Sequence, residues 1–247
     1  MIMRITKNLY LLSGGNYSAG EYNALGDVYG IYTSEGLILI DCGLPEVSLP
    51  IINENLEYWG LEKEPITHVI ITHAHVDHCG NAKYYQEKGA QIIVGEGDVD
   101  YLCKAGGFNR FHDTRFEQGT YHIFPAFTPD IAIDEDKELL LNGLKFKFIT
   151  IPGHTVGSLA IYLEMDEKRI LFTGDSIYPM GINCEKVDLG WRGDPKYDNK
   201  AFIRSIVKLS DTVECDMVLP GHGNLCLRNG SNVIWNAAKT ATHLLNY

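Results

Sequence analysis

From Thr72 to Gly80 the chain reads Thr-His-Ala-His-Val-Asp-His-Cys-Gly, which gathers three of its nine histidines into six residues. At the chain's own His and Asp frequencies, an H-x-H-x-D-H pattern arises by chance in fewer than about one such chain in a thousand. In an extended segment residues two apart point the same way, so His73 and His75 can converge on one cation. Asp77 and His78 fall where the chain turns toward the next helix and can aim at a second cation nearby. The apolar run just before, His68–Ile71, reads as a buried strand. That strand delivers the cluster to a carboxyl edge, where open α/β sheets place their sites. Imidazole and carboxylate donors suit zinc, iron and manganese.

Four ligand-type side chains in six residues also suit a structural metal site or a solvated polar loop. Three further islands favour catalysis. Pro152-Gly153-His154-Thr155 follows a predicted strand at Leu144–Thr150, Thr173-Gly174-Asp175-Ser176 follows one at Arg169–Thr173, and Pro220-Gly221-His222-Gly223 follows one at Met217–Leu219. Each sets one ligand-type residue beside a glycine at a strand end. Glycine there lets backbone and ligand approach without a Cβ clash.

The rest of the chain supports such a scaffold. Short runs rich in Ile, Val, Leu and Tyr predict strands at Asn8–Leu12, Val28–Thr33, Leu37–Asp41, Gln91–Val94, Glu138–Leu141 and Ser158–Leu163. Asn142-Gly143 is the strongest short hairpin signal. Helical spacing predicts helices at Leu49–Trp59, Cys79–Lys88, Asp98–Lys104, Asn199–Leu209 and Asn232–Leu245. Strand runs punctuated by helices in both halves imply two packed sheets with helices outside, although composition alone does not separate this from other mixed α/β folds. No linker, repeat or low-complexity tract divides the chain, so one domain over residues 1–247 is expected. Aromatic-rich stretches near 106–129 and 178–200 are expected to be loop insertions that wall a substrate site.

Lys plus Arg 21 against Asp plus Glu 32 gives a net charge of −11, which disfavours binding to nucleic acid or to an anionic membrane surface. No apolar run reaches transmembrane length, and the first residues hold no signal-peptide core. The six cysteines are scattered without a C-x-x-C pair, so reduced thiols in a cytoplasmic protein are expected.

From Ile38-Leu39-Ile40-Asp41-Cys42-Gly43 through Gly221-His222-Gly223, these motifs resemble the metallo-β-lactamase superfamily, in its glyoxalase II and lactonase-like branch. The resemblance implies an α/β fold: an αββα sandwich of two mixed β-sheets flanked by helices, with the site along one sheet edge. It implies that His73, His75 and His154 hold one metal, that Asp77, His78 and His222 hold the second, and that Asp175 bridges them. Asp41 would be an outer carboxylate rather than a ligand. Two divalent metal ions are therefore expected, zinc first, with iron or manganese suited to the same donors.

The activity so implied is a dinuclear metal-dependent hydrolase that attacks a small carbonyl ester, lactone or thioester with a metal-bound hydroxide. Asp77 or a metal-bound water would protonate the leaving group. Tyr178 lies three residues past Asp175; N-acyl homoserine lactonases place a functional tyrosine at this offset, whereas glyoxalase II-type thioester hydrolases usually carry phenylalanine. Packing is the other reading of that ring. Alternative activities are a mononuclear iron persulfide dioxygenase, using His73, His154 and Asp175, and a phosphodiesterase of the same fold. The expected partner is a small-molecule substrate, with Arg110, Arg115 and Arg192 available to a substrate carboxylate or phosphate. The aromatic insertions also suit a homodimer.

Overall fold

The computed structural model describes residues 3–14, 25–103, 108–113 and 120–244, and for 108–113, 120–123 and 244 it describes the backbone only. Its architecture follows from side-chain alternation in strands buried on both faces. The N-terminal half supplies β1 (Met3–Arg4), β2 (Leu9–Ser13), β3 (Val28–Thr33), β4 (Gly36–Ile40), α1 (Ser48–Tyr58), β5 (Ile66–Ile70), α2 (Val76–Cys79), α3 (Ala82–Glu87), β6 (Gln91–Gly95) and α4 (Glu96–Leu102). Next come β7 (Phe108–Asp113), β8 (Thr120–Pro125), β9 (Ile131–Ile133), β10 (Lys137–Leu141), β11 (Leu144–Thr150), β12 (Leu159–Met165) and β13 (Lys168–Gly174). The chain continues through β14 (Ile177–Met180), β15 (Lys186–Leu189), α5 (Asn199–Thr212), β16 (Met217–Pro220) and α6 (Gly230–Leu244).

Seven strands pair in the order β1-β2-β3-β4-β5-β6-β9, antiparallel up to β4 and parallel beyond it. Five pair in the order β10-β11-β12-β13-β16, antiparallel except for the parallel β13–β16 pair. Both sheets are therefore mixed. Ile38 and Ile40 face inward with Ile70 and Ile93, against Phe146, Phe148, Ile161, Ile170 and Phe172 of the other sheet. Leu37 and Leu39 point the opposite way and pack with Ile52 and Leu56 of α1 and Ala82 and Tyr85 of α3. On the far side, Leu171 and Val218 pack against Phe202, Ile206 and Leu209 of α5 and Val233 and Ala237 of α6. Three apolar layers thus separate helices, sheet, sheet and helices, which is the αββα sandwich expected.

Three local expectations change. The helix expected over Cys79–Lys88 starts later, as α3 at Ala82, and is preceded by a separate short helix, α2, that ends at Cys79; in the turn between them the Asn81 side chain donates to the carbonyls of Cys42, Gly43 and Leu44 at 2.8, 3.2 and 3.1 Å. The stretch 178–200 is not wholly loop: β14 and β15 pair antiparallel, and residues 190–198 follow as an open segment. Within 106–129, β7 and β8 form an antiparallel ladder. The readings of Arg110, Arg115 and the 106–129 side chains up to 123 lie outside the described residues.

Candidate metal centre

Five strands end at one edge, and each presents one of the expected residues beyond its carboxyl end. β4 is followed by Asp41, β5 by the 73–78 cluster, β11 by His154, β13 by Asp175 and β16 by His222. Backbone bonds stitch this edge together: Leu159 N–H donates to Thr72 O at 2.8 Å, Gly221 N–H to Gly174 O at 2.8 Å, and Asp27 N–H to Gly221 O at 2.7 Å. Gly221 is sterically required here. A Cβ on it would stand 2.1 Å from Asp175 Oδ1 and 2.7 Å from His78 Cε1.

The donor atoms form two groups. His73 Nε2 and His154 Nε2 each lie 3.1 Å from His75 Nδ1, with Asp175 Oδ2 at 3.8 and 3.7 Å from His73 and His154. Beside them, His222 Nε2 lies 3.1 Å from Asp77 Oδ2 and 3.2 Å from His78 Nε2, and Asp77 Oδ2 is 3.6 Å from His78 Nε2. Asp175 faces this group too, with Oδ1 3.3 Å from His78 Nε2 and Oδ2 3.4 Å from His222 Nε2. A cation about 2.0–2.1 Å from each of four tetrahedral donors would hold them roughly 3.3 Å apart, so both groups fit a divalent metal. All seven residues singled out in the sequence are brought together, and Asp175 lies between the groups.

The outward-facing ring nitrogens explain why the donors point inward. His154 Nδ1–H donates to Trp191 O at 2.8 Å, which leaves the Nε2 lone pair facing the centre. Asp194 Oδ2 accepts from His75 Nε2–H at 3.0 Å, which leaves the Nδ1 lone pair facing inward. Thr72 Oγ1 donates to Asp41 Oδ2 at 2.8 Å and so accepts from His73 Nδ1–H at 3.0 Å. His78 Nδ1–H donates to Asp41 Oδ2 at 2.8 Å. Such outer partners fix tautomer and ring orientation in metal sites. With the rings held this way, the lone pairs of His75, His73 and His154 confront one another at hydrogen-bonding distance. A cation placed among these three lone pairs relieves the opposition.

The electrostatics divide the two groups. Burial, reinforced by positive charge on the neighbouring histidines, holds His73 well below the usual histidine range and His154 at about 4, so both are neutral. Burial also acts against charge on His222 and His78, but the carboxylates of Asp175 and Asp77 outweigh it, lifting His222 to about 10 and His78 well above its ordinary value. Conversely, burial would raise Asp77, yet His78 and His222 pull it down to about 2. Asp175 is depressed by the same histidines. In the metal-free chain, protons thus occupy the second group, and an entering cation must displace them.

Tyr178, in β14, is buried with its ring edge-on to His222 at 6.1 Å between centroids. Cys79 packs in the core beneath α2 and takes no part in the donor set. Arg192 is exposed. Two carboxylates escaped the sequence reading. Asp98 of α4 is buried and accepts from Ala74 N–H at 2.9 Å, Thr155 Oγ1–H at 2.8 Å and Gly157 N–H at 2.9 Å, which braces the His73–His75 segment against the His154 turn. Asp194 carried no signal beyond lying in the 178–200 stretch.

An edge of this kind defines a class of enzyme, hydrolases that depend on divalent metal and are built on an αββα sandwich. The pattern of the metallo-beta-lactamase superfamily matches residues 24–222, and this chain belongs to that superfamily. Among its relatives, a hydroxyacylglutathione hydrolase, GloC, of Haemophilus influenzae is 30% identical over 158 residues, 63% of this chain and 68% of that protein. A probable metallo-hydrolase, YflN, of Bacillus subtilis is 26% identical over 207 residues, 75% of each chain. An RNase J-like protein of Methanocaldococcus jannaschii is 27% identical over 200 residues, 74% of this chain but only 45% of that protein. The chain thus spans less than half the length of that archaeal relative. In three dimensions, the metallo-beta-lactamase GOB-18 of Elizabethkingia meningoseptica superposes with a TM-score of 0.72 at 22% identity, covering 99% of this chain and 91% of that one. Among the described residues no helix is long and apolar enough to cross a membrane.

Proposed function

We propose that the protein is a dinuclear hydrolase of small carbonyl esters, lactones or thioesters. In this reading residues 1–247 act as one domain, and the 190–198 segment forms one wall of the substrate opening. The observation that carries it is the inward convergence of His73 Nε2, His75 Nδ1 and His154 Nε2 beside a second group, with Asp175 facing both. His73, His75 and His154 would hold one divalent ion, Asp77, His78 and His222 the other, and Asp175 would contact both. Bound there, zinc or a similar ion supplies Lewis acidity and lowers the pKa of water toward ~7.

The chain's own groups do the rest. Asp77 Oδ2 accepts from His222 Nε2–H at 3.1 Å and lies at the more exposed side of the second group, where it would carry a proton to the departing oxygen or sulfur. Tyr178, whose ring stands edge-on to His222, would in this reading donate its phenolic hydrogen to a substrate carbonyl oxygen. That position supports the lactone reading, and the GloC relative supports a thioester. Exposed Trp191 and Val156, beside the His154 turn, give the opening an apolar rim that suits a small organic substrate. A cytoplasmic location and a homodimeric state complete the reading, resting on the scattered, unbridged cysteines and the aromatic insertions.

A panel of lactones, thioesters, phosphodiesters and persulfides, assayed on metal-quantified protein, tests the proposal. Lactone or thioester turnover with two equivalents of metal is the expected result. Phosphodiester cleavage alone, or oxygen uptake with a persulfide and one equivalent of iron, overturns it.

A further inference from the structure

Asp194 reaches the metal centre from a part of the chain that carries no ligand motif, 119 residues from its partner His75. Its geometry is over-determined. Oδ1 accepts from Lys196 N–H at 2.6 Å and the Asp194 carbonyl accepts from Tyr197 N–H at 3.0 Å, so Oδ2 alone is turned toward His75 Nε2. The segment is pinned at both ends, by Gly190 N–H to Ser176 O at 3.4 Å and by Asp198 N–H to Gly153 O at 3.0 Å. Three residues earlier, the Trp191 carbonyl takes the outer proton of His154. One short segment thereby holds two of the three imidazoles of the first group by their far nitrogens, while the Trp191 ring stands edge-on to His75 at 5.7 Å.

We propose that Asp194 is a positioning residue for the metal position formed by His73, His75 and His154, acting by keeping the His75 proton on Nε2 and its lone pair on Nδ1. The inference rests on the metal-site reading given above. Without the carboxylate, neutral His75 is free to carry its proton on Nδ1, where it would point into the centre and oppose a cation. Its ring would also lose the contact that sets its angle between His73 and His154. Outer partners of metal-bound histidines typically account for 10–100-fold in affinity.

The test is a titration of metal-free full-length protein with Co²⁺, followed by its visible absorption, for wild type, Asp194→Ala and Asp194→Asn. Ring ¹⁵N shifts of His75 in the metal-free proteins report the tautomer directly. Wild type is expected to show the Nε2–H form. Asp194→Ala is expected to populate the Nδ1–H form and to need about 10–100-fold more free Co²⁺. Asp194→Asn, which keeps an acceptor but loses the charge, is expected to fall between them. Wild-type Co²⁺ affinity and an unchanged His75 tautomer in Asp194→Ala overturn the assignment. Should the alanine variant fail to fold, the same two outcomes are read from Asp194→Asn. A wild type that binds no Co²⁺ overturns the metal-site reading itself, a result distinct from equal binding by all three.

Discussion

Gly95 ends β6 directly beneath the turn that carries His154, and it offers the sharpest test of how the site is braced. A Cβ built on Gly95 would stand 1.9 Å from Gly157 O, 2.7 Å from its carbonyl carbon and 3.0 Å from its Cα. All three are backbone atoms, so no side chain can swing aside. Restoring an ordinary contact of about 3.4 Å requires the 155–158 turn to retreat by roughly 1.5 Å. That retreat pulls Gly157 N–H and Thr155 Oγ1 away from Asp98, which they meet at 2.9 and 2.8 Å, and draws His154 Nε2 off its 3.1 Å approach to His75 Nδ1. Overpacking of this kind costs about 1–3 kcal/mol. In a chain of this size that lowers Tm by roughly 2–12 °C. A displacement near 1 Å at a catalytic site costs on the order of 10²-fold in rate. Gly95→Ala is therefore expected to lose metal content and about 10²-fold in kcat while still folding, measured by metal analysis, hydrolysis of the best ester and thermal unfolding. Gly89→Ala is the control. Its φ of +98° strains an alanine, but nothing lies within 4 Å of the added carbon, so stability alone should fall, by ~1 kcal/mol. Wild-type turnover and metal content in Gly95→Ala would refute the reasoning.

Other outcomes follow from the same geometry. Chelation is expected to abolish hydrolysis and added divalent metal to restore it; activity that survives complete removal of metal would sink the mechanism. Asp175→Ala should deplete metal from both positions together, since Asp175 faces both groups, and loss of a single equivalent on metal analysis would contradict that placement. Tyr178→Phe is expected to lower kcat on lactones by about 10²-fold if the phenol serves the carbonyl oxygen, whereas unchanged kcat and KM would assign the ring to packing. In the metal-free chain, His222 is raised from 6.5 to about 10, so its contribution to stability is full below pH 6.5 and lost as pH climbs through 10. Asp77 is depressed from 3.8 to about 2, so its contribution is full above pH 3.8 and lost as pH falls through 2. Urea unfolding of the metal-free protein should accordingly show greatest stability between about pH 4 and 6.5 from these groups, while metal affinity rises with pH as the displaced protons become easier to remove. Increasing stability of the metal-free chain from pH 6.5 to 9 would contradict the sign.

Much of this protein was legible in the chain because the relevant information is local. Candidate donors are recognisable by their chemistry, and His73, His75, Asp77 and His78 lie within six residues of one another. His154, Asp175 and His222 each stand beside a glycine at the end of an apolar run. Leu37 to Ile40 alternate between two apolar layers, as their composition allows. Asn142-Gly143 takes positive φ at both positions, 47° and 73°, as a tight hairpin demands. The helix break at Asn81 was not legible, because the carbonyls its side chain meets belong to the distant 42–44 turn. Nor was β9, three residues long and defined only by its pairing with β6. The carboxylates that contact this cluster were hidden for the same reason: Asp98 meets Ala74 across 24 residues and Asp194 meets His75 across 119. Which atoms could bind a cation was written along the chain. Where each ring turns its other nitrogen depended on how distant loops cross in space, because a hydrogen bond is set by position and direction rather than by order in sequence.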